Sequence, residues 1–340
     1  MGILKEGESL DSLEYKGLKI IQSAGLYRFT SDAVLLANSV AARRGGRAVD
    51  LGSGSGVVGT LIAAKTGARV IGVEIQEALF DTAVRSAELN GMTDSLTFLN
   101  LDIRKIFLTE KNNAGTDGIT KSEKTETDGG IETTGTNGTI EGTQINNATK
   151  NETDGITKSE KTKTNGTNGG IKAEIKNGIK DGAKANGKTK NEAAENGADA
   201  ALCELRRGGF DIVVTNPPYG KKACAAGIKN ESARIARTED KITLDEIVSA
   251  AARLLRFGGK FYIVVKTPRL FETTYLMTKY GIEPKELTLV LPARKKPPDV
   301  CIVRGVRGGK TGLKINEPLV VFDENGEYTK EVKKMYDISG

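Results

Sequence analysis

Short apolar runs alternate with longer amphipathic stretches near both ends of the chain, and the two patterns predict different elements. "RAVDL" (Arg47–Leu51), "ARVIGVEI" (Ala68–Ile75) and "SLTFLNLD" (Ser95–Asp102) are brief and rich in β-branched residues, so they predict buried strands. Between them, helical spacing predicts "GVVGTLIAAKTG", closed by Gly67, and "QEALFDTAVRSAELNG", stopped by Asn90-Gly91. Upstream, Thr30 or Ser31 can cap a helix through "DAVLLANSVAARR". Downstream, "FDIVVTN" and "KFYIVV" predict strands. The helix between them opens at the capping box Thr243-x-x-Glu246 and runs to Phe257-Gly258-Gly259. A further helix covers "RLFETTYLMTKYG". "ELTLVLPARKKPPDVCIVRGV" then predicts two strands joined by a basic, proline-containing loop. The expected fold is α/β, a mostly parallel sheet with a C-terminal antiparallel hairpin edge.

The middle of the chain breaks the pattern. From Lys111 to about Asp199 it is Thr, Asn, Gly, Lys and Glu, with scattered Ile as almost the only large apolar residue. "TDGITKSEKTETDGG" (Thr116–Gly130) returns as "TDGITKSEKTKTNGT" (Thr153–Thr167). A segment without a face to bury cannot offset its own ordering entropy, so it is expected to be disordered. The predicted organisation is a cofactor half over 1–109, a low-complexity insert over 110–207 and a catalytic half over 208–340.

Composition narrows the chemistry. Forty-one glycines and no tryptophan in 340 residues fit a chain of which part is unpacked. Three cysteines without a CxxC pair and no histidine exclude zinc fingers, imidazole metal sites and histidine-based triads, so no metal is expected. Free thiols fit a reducing cytosol, and neither a signal-peptide core nor a membrane-spanning run is present, so a cytoplasmic protein is expected. The net charge is +6. Charges in the insert nearly balance, which leaves the excess on Lys221-Lys222, Lys229, Arg234, Arg237 and Arg294-Lys295-Lys296. A polyanionic partner suits that distribution.

Two motifs carry candidate chemistry. "VDLGSGSGVVG" (Val49–Gly59) is a glycine turn between a strand and a helix, with acidic Glu74 at the end of the next strand. This fits any nucleoside cofactor whose ribose hydroxyls an acid can hold. Asp50 before the glycines and Asp102 after the third strand make three carboxylates around one loop. They would repel a dinucleotide's phosphates and suit a sulfonium and an ammonium, which favours S-adenosylmethionine. The second motif is "FDIVVTNPPYGKK" (Phe210–Lys222). Pro217 and Pro218 cannot continue a central strand, and they hold Asn216 and Tyr219 rigid at the sheet edge where α/β folds bind ligands.

"DLGSGSG", "GVEIQ", "LD" and "NPPY", in this order, resemble the class I S-adenosylmethionine-dependent methyltransferases with an Asn-Pro-Pro-Tyr motif. "IIQSAGLYRFTSDAVLLA" (Ile20–Ala37) and the stretch Asn230–Val265 are similar more narrowly to the bacterial tRNA1(Val) adenine-37 N6-methyltransferase group. The resemblance implies a Rossmann-like class I sheet and methylation of an exocyclic N6 amine in RNA, with tRNA as partner. It implies that Asp50, Gly52, Gly54 and Gly56 form the cofactor loop, that Glu74 holds the ribose and that Asp102 takes the adenine amine. Arg28, Thr30 and Asp32 would border the methionine end of the cofactor. Asn216, Pro217, Pro218 and Tyr219 would form the catalytic turn, with Lys221, Lys222, Arg294, Lys295 and Lys296 on RNA phosphates. The chain departs from the group at Thr238, where the group reads histidine, and in its long insert. A protein-glutamine N5-methyltransferase shares the motif, but about forty-five residues before the first strand are too few for that group's helical domain. An rRNA guanine-N2 methyltransferase would favour Phe at Tyr219. A non-catalytic RNA-binding module is the remaining alternative, and the intact carboxylates and Asn216 speak against it.

Overall fold

The computed structural model describes residues 3–108, 188–220, 230–237, 239 and 241–337. Its first elements are an antiparallel pair that the hydrophobic pattern did not predict, β1 (Glu8–Ser12) and β2 (Lys19–Ser23). The central sheet follows with β3 (Arg47–Leu51), β4 (Arg69–Glu74), β5 (Leu96–Asn100), β6 (Phe210–Thr215) and β7 (Leu255–Lys266). These five strands are parallel, in the spatial order β5-β4-β3-β6-β7. Alternate residues of each strand enter opposite cores, because successive side chains of a strand point to opposite faces. Ala48, Val70, Val214 and Val264 pack on one side, and Val49, Ile71, Val213 and Val265 on the other.

Helices cover both faces, as a parallel sheet requires. The first core takes in α1 (Ser31–Ser39), α2 (Val57–Thr66) and α3 (Glu77–Leu89). On the other side lie α4 (Lys188–Arg207) and, after the short α5 (Glu231–Arg237), α6 (Leu244–Leu254) and α7 (Leu270–Lys279). The capping box at Thr243 and Glu246 forms as predicted, with both reciprocal hydrogen bonds in place. The C-terminal hairpin is also present as β8 (Ile282–Ala293) and β9 (Val300–Arg307), antiparallel to each other, with β9 antiparallel to β7.

Several boundaries differ from the expectation. α1 ends at Ser39 rather than near Arg44, because the backbone turns extended at Val40. α6 ends at Leu254, and Phe257-Gly258-Gly259 lies inside β7, where its pairing with β6 shifts register and Gly258 takes φ +74°. The hairpin is not the outermost part of the sheet, since β10 (Lys314–Ile315) and β11 (Leu319–Phe322) add parallel to β8 before α8 (Lys330–Met335). Most of the low-complexity insert lies outside the described residues. Its last twenty residues are α4, which fixes Ala201 and Leu205 in the second core. Ala198, Ala201, Leu202 and Leu205 recur at helical spacing, a signal that the polar sequence before them obscured. A deletion carried through Asp199 would therefore cut this helix.

The topology places the site. From β3 the chain steps outward to β4 and β5, then returns to the other side of β3 as β6 and proceeds to β7. A crevice opens where the order reverses, beyond the carboxyl ends of β3 and β6. Thr215 is buried there, and its hydroxyl donates to the Leu51 carbonyl at 2.8 Å, holding the two strand ends level.

Candidate active site

One wall of the crevice is the glycine turn. Gly52 and Gly54 line it with φ +72° and +56°, and a Cβ on either would meet no protein atom within 4 Å. Their missing side chains leave bare backbone open to a ligand. Gly56 has a different role. Its φ is +89°, and a Cβ there would lie 2.6 Å from the Phe98 ring, so this glycine lets α2 seat against the sheet and stays out of the crevice wall.

Glu74 lines the crevice and is buried. Its carboxylate accepts the backbone N–H of Gly54 and of Gln76, each at 2.8 Å. Burial raises its pKa despite those hydrogen bonds. Asp50 lies behind the turn rather than in the wall, accepting the Gly59 N–H at 3.1 Å. Burial, with the nearby Glu74 carboxylate adding to it, pushes its pKa up to about 7. Two buried carboxylates that resist ionisation are complemented by a positively charged ligand.

The Asp50 shift has a consequence for stability. A carboxyl that holds its proton more tightly when folded favours the fold most at acid pH, below its ordinary value of 3.8. That contribution falls as pH rises toward 7 and then levels off. Asp50→Asn keeps an acceptor for Gly59 and removes the charge. The variant is expected to melt a few degrees above the parent at pH 8, with the gain shrinking toward pH 4. Paired thermal melts across that range check it, and a gain independent of pH would contradict it.

Asp102 also lines the crevice, but its carboxylate is engaged. Arg104 donates to both oxygens, at 2.9 Å to Oδ1 and 2.5 Å to Oδ2, and this pairing holds the Asp102 pKa below its ordinary value. An adenine amine reaching Asp102 must share or displace that guanidinium.

The facing wall is the turn after β6. Asn216, Pro217, Pro218 and Tyr219 all line the crevice. The Tyr219 phenol lies 2.9 Å from Asp32 Oδ2 on α1 and 2.7 Å from Asn216 Oδ1. Burial first, and Asp32 second, raise the phenol's pKa well above its ordinary value, so it keeps its single hydrogen. That hydrogen serves one acceptor, and the carboxylate is the stronger. The Asn216 Oδ1 beside the phenol has two lone pairs and can accept from another donor as well. Lys266 sits 5.3 Å from the Tyr219 ring centroid.

Arg269 secures this turn from behind, and sequence reading missed it. It closes the short turn Thr267–Arg269 after β7, is 7% exposed, and donates to the Pro218 carbonyl at 3.4 Å. Glu239 and Glu272 clamp its guanidinium at 2.8 and 2.9 Å. Glu239 in turn accepts the Leu244 N–H, and its own N–H reaches the Gly220 carbonyl. A charged residue at the carboxyl end of a central strand was the available signal.

Of the expected N-terminal residues, Asp32 reaches the crevice wall at the Tyr219 phenol, while Arg28 and Thr30 do not line the crevice. Tyr27, Phe29 and Ala33 line it. Arg28 instead pairs with Asp11 on the surface, and Thr30 stands at the α1 N-cap without a side-chain cap bond. Ile235 and Ala236 of α5 close the same side, tied down by Ser232 to the Tyr27 N–H and by Asn230 to the Gly25 carbonyl. Arg294, Lys295 and Lys296 are exposed in the β8–β9 loop. Lys221, Lys222, Lys229 and Thr238 lie outside the described residues. The crevice is lined from both sides, by Gly52, Gly54 and Glu74 on one wall and by Asn216, Pro217 and Tyr219 on the other. Among the described residues no cluster of metal-ligating side chains occurs, and no helix is long and apolar enough to cross a membrane.

Known proteins share the family and the fold. Residues 69–242 match the model of the family described as Eco57I restriction-modification methylase. A tRNA1(Val) (adenine(37)-N6)-methyltransferase of Phocaeicola vulgatus is 32% identical over 108 residues. That match covers 28% of this chain and 44% of the relative's length. Among solved structures, a protein of Agrobacterium tumefaciens described as an O-methyltransferase aligns with a TM-score of 0.51 at 17% identity, over 90% of this chain and 95% of that one. The likeness establishes the class I methyltransferase fold.

Proposed function

The chain belongs to the Eco57I restriction-modification methylase family, and on that premise we propose that it transfers a methyl group from S-adenosylmethionine to the N6 amine of an adenine in RNA. The finer reading is position 37 of tRNA1(Val), supported by the name of the Phocaeicola relative and by the N-terminal and post-motif signatures. One observation carries the proposal. The Asn216–Tyr219 turn and the glycine turn face each other across the switch-point crevice, held level by the Thr215–Leu51 hydrogen bond.

The residues present fit the cofactor. Gly52 and Gly54 leave backbone open, Glu74 retains lone pairs for ribose hydroxyls, and the buried Asp50–Glu74 pair suits a cation. Bound there, S-adenosylmethionine supplies an electrophilic methyl group on a good leaving group. The chain's own residues prepare the acceptor. An adenine N6 lone pair is conjugated with its ring and is a poor nucleophile. Asn216 Oδ1 and the Pro217 carbonyl accept its two hydrogens, which draws the nitrogen toward tetrahedral geometry. Pro217 and Pro218 keep those acceptors rigid, and Tyr219 offers a ring for the base to stack on. Catalysis is then mainly positioning, and the methylated amine loses its extra proton to water, which suits a chain without histidine.

Incubation with labelled cofactor and total tRNA from cells lacking this protein is expected to yield N6-methyladenosine at a single anticodon-loop position. Label in another nucleoside, or in protein, would overturn the reading. The family's description favours a second reading, the same transfer to adenine in DNA, and a duplex DNA arm of the same assay separates the two.

A further inference from the structure

Helix α7 turns an uncharged aromatic stripe to solvent. Phe271 is 88% exposed and Tyr275 67%, one turn apart on the same face, with exposed Pro268 leading into it. The opposite face of α7 supplies Thr273, Leu276 and Met277 to the interior, so neither exposed ring is needed for packing. Large rings this open, side by side on a folded surface, mark contact with another molecule.

The residues just before the stripe connect it to two features of the site. Arg269 donates to the Pro218 carbonyl of the catalytic turn. Thr267 bonds to the carbonyls of Pro298 and Asp299, each at 3.0 Å, in the loop that presents Arg294, Lys295 and Lys296. The nearby carboxylates are occupied, Glu272 by Arg269 and Asp299 by Lys266. The three loop cations have no ion pair among the described residues and are exposed.

We propose that Phe271 and Tyr275 form a stacking platform for unpaired RNA bases flanking the target adenine, with Arg294, Lys295 and Lys296 on the adjoining phosphates. The proposal rests on the RNA-adenine reading above. The segment leading into the rings is bonded to the loop that carries the three cations, and aromatic rings together with a basic segment are the composition of a single-strand nucleic-acid surface.

The test uses the full chain and a labelled hairpin RNA with an unpaired adenine-containing loop, bound in the presence of S-adenosylhomocysteine. The double variant Phe271→Ala/Tyr275→Ala is expected to bind about tenfold or more weakly. Its salt dependence should match the parent's, because the phosphate contacts remain. Replacing Arg294, Lys295 and Lys296 with alanine should instead flatten the salt slope by about two. Phe271→Trp/Tyr275→Trp keeps two ring faces and should bind like the parent, which separates stacking from a folding defect. Parent-like affinity in the alanine variant would overturn the proposal. So would sedimentation showing that the parent self-associates through this face while the variant is monomeric with unchanged RNA affinity. A parent that binds cofactor but no RNA would bring down the RNA reading beneath it as well.

Discussion

Replacing Asn216 with alanine is expected to reduce methyl transfer by about a hundred- to a thousandfold while cofactor affinity stays near the parent's. The magnitude follows from removing one preorganised polar contact that the reacting group needs. Asn216 stands in the turn after β6, and Gly52, Gly54 and Glu74 stand across the crevice in other elements. The substitution therefore removes an acceptor for the amine without disturbing the cofactor wall. Thr215 and Pro217 still hold the backbone, so stability should change little. Single-turnover transfer from labelled cofactor, beside calorimetric titration of that cofactor, reads both quantities. Parent-like turnover would show that the carboxamide does not prepare the amine. Loss of cofactor binding would place Asn216 in the other wall.

Arg269→Ala should affect both stability and activity. The guanidinium is almost fully buried between Glu239 and Glu272 and also reaches the Pro218 carbonyl. Truncating it leaves the largely buried Glu239 carboxylate without its cation, which costs about 3 kcal/mol and lowers the melting midpoint by about 8 °C. Turnover measured well below the midpoint should fall too, because the catalytic turn loses its rear support. Arg269→Lys separates the two effects. It restores charge and most of the stability, but a single ammonium cannot reproduce the fork to two glutamates and a carbonyl, so turnover stays low. A lysine variant with full activity would limit Arg269 to stability.

The contrast between Asn216 and Arg269 shows why one was legible in the sequence and the other was not. Asn216 lies in a stretch whose meaning is local. A β-branched strand, two prolines and an aromatic ring specify a rigid strand end within a few residues. Arg269 sits in "KTPR", which reads locally as a turn. Its role arises because β7 lies beside β6, bringing residue 269 to the Pro218 carbonyl and to Glu239, thirty residues upstream in the chain. Asp32 is an intermediate case. Its segment was singled out, but its contact with the Tyr219 phenol depends on where α1 lies against the sheet. α4 failed to register for the opposite reason. Its apolar spacing was present in the sequence, and the polar repeats ahead of it hid the signal.

By itself, the sequence determined β3 to β9, the helices α1 to α3, α6 and α7, the glycine turn and the chemical character of the Asn-Pro-Pro-Tyr turn. Each follows from residue types and spacings within one or two turns of chain. Tertiary structure alone decided that Gly56 and Asp50 stand behind the crevice rather than in its wall. It also decided that Arg104 occupies Asp102, that Arg269 braces Pro218 and that Phe271 and Tyr275 face solvent. These are contacts, or absences of contact, between residues that strand order brings together or keeps apart, and no local pattern encodes a neighbour supplied by a distant strand.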